Sequence, residues 1–126
     1  NASKERDTPV YTLRRIVTNN VSGNHDIAHQ LALPYGIDLP EDLPVEYHQD
    51  WYAAVGETYY KNKNYKNSQG VFGKLSKLKP TADYYLSLAE SYRAHGDYEL
   101  SNIAYLKAES LSTKKGNTLK ARAYMY

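Results

Sequence analysis

The 126-residue chain contains no cysteine and only one phenylalanine, one tryptophan and one methionine. Without cysteine there are no disulfides, thiolate metal sites or cysteine nucleophiles, and the composition suits either an oxidising or a reducing compartment. No apolar run approaches the ~18 residues that a membrane-spanning helix requires. Neither sign of charge dominates, since the formal net charge is +2. That is far from the clustered basic stripe of a nucleic-acid-binding surface. No membrane span and no nucleic-acid partner is therefore expected. The catalytic signatures are missing as well, because the chain has no G-x-S-x-G, no P-loop and no dinucleotide fingerprint. Glu41, Asp42, Glu46, Asp50 and Glu57 stand in polar stretches, not in the apolar setting that a general acid needs. The sequence therefore gives no reason to expect an enzyme or a cofactor. Asn1 stands where an initiator methionine would, as in a processed or excised chain.

What the chain does have is tyrosine, 14 of them, in a composition that is 41% hydrophobic. This is enough for one core. A tyrosine buries a large ring while its hydroxyl seeks water or a partner, which suits a thin architecture in which few residues are fully enclosed.

The chain also repeats itself. At an offset of 33 residues, Tyr52 falls on Tyr85, Val55 on Leu88, Gly56 on Ala89 and Tyr59 on Tyr92. Tyr65 then falls on Tyr98, Ser68 on Ser101, Phe72 on Tyr105 and Leu78 on Leu111, with no gap. A repeat of this length signals stacked supersecondary units. Tyr52, Val55, Gly56 and Tyr59 lie on one helical face, and Tyr85, Leu88, Ala89 and Tyr92 do the same. Gly96 is a stop and Asp97 a cap before the next helix. In the first copy Asn64 can cap, while Lys63 is a poor stop, so Asn62 is expected to end that helix. Second helices follow through Ser68, Phe72 and Leu75, and through Ser101, Tyr105 and Ala108. The small residues are expected to mark close helix approaches, Gly56 near Ser68 and Ala89 near Ser101. Pro80 closes the first unit.

This order of an aromatic, a large apolar residue, Gly or Ala and Tyr, then a small residue, an aromatic and Ala, then Pro, resembles the tetratricopeptide repeat family. The units are residues 49–81 and 82–115, about half of the chain. Leu75 departs from the family's small residue, Thr113 from its proline, and the period is one residue short. The resemblance implies an all-α fold, an α-α superhelix of helical hairpins stacked as a short right-handed solenoid.

Upstream, Leu13, Ile16, Val17 and Val21 have helical spacing after a cap at Asp7 or Thr8 and a first-turn Pro9. Gly23 and Asn24 then supply a stop and a cap before Ile27, Ala28 and Leu31. Residues 7–40 read as a degenerate helical pair, with Ala28 and Pro40 roughly where a small residue and a proline belong. The proline-rich stretch up to Gln49 reads as an ordered extended connector. Residues 116–126, with Leu119, Ala123 and Tyr126, read as a capping helix or the start of a further unit, giving roughly seven helices in all.

The resemblance also implies a concave groove lined by the first helix of each unit. Its residues would be Asp50, Ala53, Glu57, Tyr60 and Lys61, then Asp83, Leu86, Glu90, Arg93 and Ala94. Family members that grip a chaperone's C-terminal carboxylate carry Lys and Asn where this chain has Ala53 and Glu57, so that partner class is disfavoured. The acidic pairs Asp50/Asp83 and Glu57/Glu90, with Tyr60 and Arg93 between them, suit a protein or peptide segment carrying Lys or Arg. The expected function is a protein-interaction scaffold or adaptor, the alternative a structural or regulatory repeat segment of a larger protein. His25 and His29, four residues apart, offer a weaker metal-binding alternative. The tetrapeptide "GNHD" lacks the companion motifs of a two-metal phosphoesterase. The local basicity of residues 112–122 reads as a solvated helix entry.

Overall fold

The computed structural model describes residues 8–112. They form six α-helices with no strand among them: α1 (Pro9–Val21), α2 (His25–Ala32), α3 (His48–Lys61), α4 (Tyr65–Leu78), α5 (Ala82–His95) and α6 (Tyr98–Leu111). Short 3-10 turns at Leu33–Tyr35 and Val45–Tyr47 bracket the connector between α2 and α3. Asp7, Thr113 and the expected helix at 116–126 lie outside the described residues.

The helix boundaries follow from local chemistry. Thr8 caps α1, its Oγ1 accepting from the Tyr11 amide at 3.2 Å, and Pro9 occupies the first turn, where no amide donor is needed. Thr81 does the same for α5 through the Tyr84 amide.

The hairpins α1–α2, α3–α4 and α5–α6 turn in one way. Gly23, Lys63 and Gly96 take positive φ of 82°, 61° and 96°. Their amides bond to Asn20 O, Tyr60 O and Arg93 O, and the next amides reach back to Asn19 O, Tyr59 O and Tyr92 O, each at 2.8 Å. This paired closure satisfies carbonyls that the helix end would leave orphaned. The following residue, Asn24, Asn64 or Asp97, is the N-cap of the next helix, with φ between −87° and −86° and ψ between 63° and 70°. Lys63, and not Asn62, therefore holds the left-handed position. Asn62 keeps a negative φ because the closure needs the reversal one residue later. The Asp97 side chain does not bond the α6 amides and instead meets His95 Nδ1 at 2.9 Å.

The turns also bring the first hairpin into register with the other two. Four residues after each cap stand Ala28, Ser68 and Ser101, all buried. Eight residues before each cap stand Ile16, Gly56 and Ala89, and eight after it Ala32, Phe72 and Tyr105, again all buried. A Cβ on Gly56 would stand 2.8 Å from the Phe72 ring, so the missing side chain is what lets that ring seat. The first hairpin reverses the sizes, with the large residue on the first helix and the small one on the second.

Contacts between helices join each helix to its neighbours in sequence, with α1 also packed on α3. Trp51, Tyr59 and Tyr105 are the largest fully enclosed side chains of the core. Trp51 packs edge-on to Tyr35 at 5.1 Å. Ser101 Oγ donates to Ala89 O at 2.9 Å, the expected close approach. Ser68 turns instead to the next hairpin, donating to Ser91 Oγ at 2.8 Å. Val17, Val21 and Ile27, counted among the apolar stripes, are exposed, and the buried positions there are Leu13, Ile16, Ala28 and Ala32.

The connector lies against α4. A Cβ on Gly70 would come within 2.9 Å of Ile37, and Lys74 pairs with Asp38 at 2.7 Å. No helix among the described residues is long and apolar enough to cross a membrane.

Candidate interaction groove

Three depressions run along α1, α3 and α5 and join through shared residues. The first, about 610 Å³, lies between α1 and α3 against Val10, Leu13, Arg14, Val17, Asp50 and Ala53. The second, about 280 Å³, lies between α3 and α5. Ala53, Glu57 and Tyr60 line it on one side, Tyr84, Ser87 and Glu90 on the other, and the buried Phe72 of α4 at its base. The third, about 350 Å³, continues from Tyr60 and Glu90 to Arg93, Ala94, Tyr98 and Tyr105. Ala53 belongs to the first two and Tyr60 and Glu90 to the last two, so the three form one groove.

The helical repeat explains this placement. Ala53, Glu57 and Tyr60 are spaced by four and three residues and share a face of α3, as Ser87 and Glu90 do on α5. Gln49 Nε2 donates to the Tyr84 hydroxyl at 3.0 Å, which ties the start of α3 to α5 and sets that ring. Tyr60 is held edge-on by Tyr65, with centroids 5.4 Å apart.

Of the residues that the repeat pattern assigned to a groove, Asp50, Ala53, Glu57, Tyr60, Glu90, Arg93 and Ala94 line these depressions. Lys61 and Asp83 are exposed and line none of them. Leu86 lines none of them either: it is 6% exposed and belongs to the core, because an apolar side chain at that position of α5 is drawn into the packing between helices. The contribution of α1, with Val10, Arg14 and Val17, was missed, and so were Tyr84 and Ser87. Extending the face of Glu90 back by one and two turns reaches Ser87 and Tyr84, so α5 did carry the signal.

His25 and His29 lie at a seam between the first two hairpins, away from the groove. His25 Nδ1 is 3.4 Å from Asn20 Oδ1, and His29 Nε2 is 3.1 Å from the Asn64 amide nitrogen. Burial lowers the pKa of His29 from its ordinary value. Among the described residues, no group of three or more His, Asp or Glu could hold a metal ion. Compared with family models, curated proteins and solved structures, the chain finds no match.

Proposed function

We propose that the chain is a protein-interaction module of the tetratricopeptide repeat type, whose stacked hairpins form a short right-handed superhelix and whose groove receives an extended or helical segment of a partner protein. The observation that carries this reading is the continuity of the groove along α1, α3 and α5, the first helices of three hairpins that share one turn geometry. Stacked hairpins present such a surface because each first helix faces the same side. The groove is lined by apolar, aromatic and charged side chains, the mixture that anchors segments at interfaces. On this reading residues 7–40 are a third, size-reversed unit. The test is affinity capture with the full chain, followed by titration of the recovered partner against a variant carrying Glu57→Lys, Tyr60→Ala and Arg93→Glu. Affinity is expected to fall at least tenfold while the variant melts like the parent. Undiminished binding removes the groove from the function.

A second reading, a repeat segment stacked within a larger helical assembly, is favoured by α6. Its Leu100, Ile103 and Leu106 remain 47%, 62% and 50% exposed, and an apolar helix face of this kind is what a further helix covers.

A further inference from the structure

The middle depression brings two carboxylates together, with no cationic side chain among the described residues that line it. Glu57 of α3 and Glu90 of α5 both line it. Neither has an ion-pair partner among the described residues, where the ion pairs are Lys74–Asp38 and His95–Asp97. Arg93 lines the next depression and not this one. Tyr60, Phe72 and Tyr84 make up most of the remaining wall, with Ala53 and Ser87, and the Tyr60 and Tyr84 rings are held by Tyr65 and Gln49.

Each feature narrows the occupant. Two like charges lining one hollow, with no cationic side chain among its described lining residues, favour a cation. Aromatic rings in the wall favour an organic cation, which a ring attracts when it lies over the face within about 6 Å of the centroid. Among the described residues no group of three or more His, Asp or Glu could hold a metal ion, and this hollow brings together only the two carboxylates. At about 280 Å³ the hollow falls below the roughly 300–1,000 Å³ of sites that enclose a whole small ligand. It is also open on both sides to the rest of the groove, so a free amine would leave most of the surface empty, while a chain segment would fill it.

We propose that the middle depression is a slot for one arginine or lysine side chain of a bound protein segment. Arginine is preferred because its planar guanidinium stacks on a ring and bonds carboxylates through several donors at once. The inference rests on the groove reading above and adds a charge and a register to it. One cationic residue sits opposite Glu57 and Glu90, with an apolar residue of the same segment on the α1 side, against Val10, Leu13 and Val17.

The test is a selection of random phage-displayed dodecapeptides on the immobilised full chain, run in parallel on an Ala53→Trp variant that plugs the groove where the first two depressions meet. The selected peptides are expected to share an Arg or Lys column, to lose binding to Ala53→Trp, and to bind Glu57→Gln and Glu90→Gln each about tenfold more weakly. The double reversal Glu57→Lys/Glu90→Lys is expected to select Asp or Glu in that column. Peptides that depend on the groove but show no cationic column overturn the slot and leave the groove reading standing. Enrichment that is equal on Ala53→Trp overturns both. Spermidine or N-acetyl-arginine amide binding as tightly as the whole peptide also overturns the proposal, since the site would then be one for small amines. Thermal melts of every variant separate lost binding from lost folding.

Discussion

At the scale of single residues, tyrosine serves as both filler and tie. Tyr59 is fully enclosed, yet its hydroxyl donates to Gly36 O at 2.7 Å and lies 3.2 Å from Ala32 O. One side chain of α3 thus completes the core and closes the carbonyl end of α2 and the start of the connector. Burial raises the pKa of that hydroxyl, so the group stays a donor across the physiological range. Tyr59→Phe keeps the ring and leaves the Ala32 and Gly36 carbonyls without their donor. A lost hydrogen bond that leaves buried acceptors unpaired costs about 1–2 kcal/mol. Urea denaturation is expected to show a lower midpoint by that amount with an unchanged slope. An unchanged midpoint would mean that water replaces the hydroxyl at no cost.

At the scale of the elements, the turn between paired helices is the structural constant. Two of its three left-handed positions carry glycine and the third carries Lys63. A non-glycine residue in that conformation costs about 1–2 kcal/mol. Lys63→Gly removes the strain but also frees the unfolded backbone, so a net gain of about 1 kcal/mol is expected, read as a higher midpoint in the same denaturation. A loss would show that the Lys63 side chain holds the turn by other means. This element also marks how far the sequence could be read. The second and third hairpins were legible because Gly56/Phe72 and Ala89/Tyr105 keep small opposite large in the same order. The first hairpin was only half legible, because Ile16 and Ala32 reverse that order while conserving the filled volume. Its stop and cap, Gly23 and Asn24, were nevertheless correctly placed. The groove residues of α3 came from the repeat pattern, and so did most of those of α5. Those of α1 did not, because its hairpin could not be registered until the turns coincided. The depth of Leu86 was not legible, because a repeat position carries no information on how closely the neighbouring helix packs.

At the scale of the whole molecule, the main helix contacts among the described residues run between sequence neighbours or next-nearest helices, so stability is a chain of local interfaces that need not be equal. Between α4 and α5, Ser68 Oγ donates to Ser91 Oγ. The seam that joins the first hairpin to α3 and the start of α4 carries several side-chain hydrogen bonds beside its buried apolar residues. Thr58 Oγ1 donates to Asn20 Oδ1 at 2.6 Å, Asn20 Nδ2 to Ala54 O at 3.1 Å, and Asn62 Nδ2 to His25 O at 2.8 Å. His29 belongs to this seam, with Asn64 on its Nε2 and the Tyr59 ring edge-on at 5.5 Å. Its pKa is lowered by burial alone, and the contacts described bring no charge to it. The sign follows directly. A histidine whose pKa is lower folded than unfolded binds more protons in the unfolded chain. Its contribution is therefore fully present above the unfolded value of 6.5 and is lost as pH falls through the folded value. Mild acid is expected to loosen α1 and α2 before the four helices that follow. Hydrogen exchange at pH 7.5 and pH 5.5 should show protection falling first in residues 9–32, and His29→Gln should flatten that difference while preserving an acceptor for Asn64. Protection that falls evenly across all six helices, or a pH dependence that survives His29→Gln, would place the acid sensitivity elsewhere and make the six helices one cooperative unit.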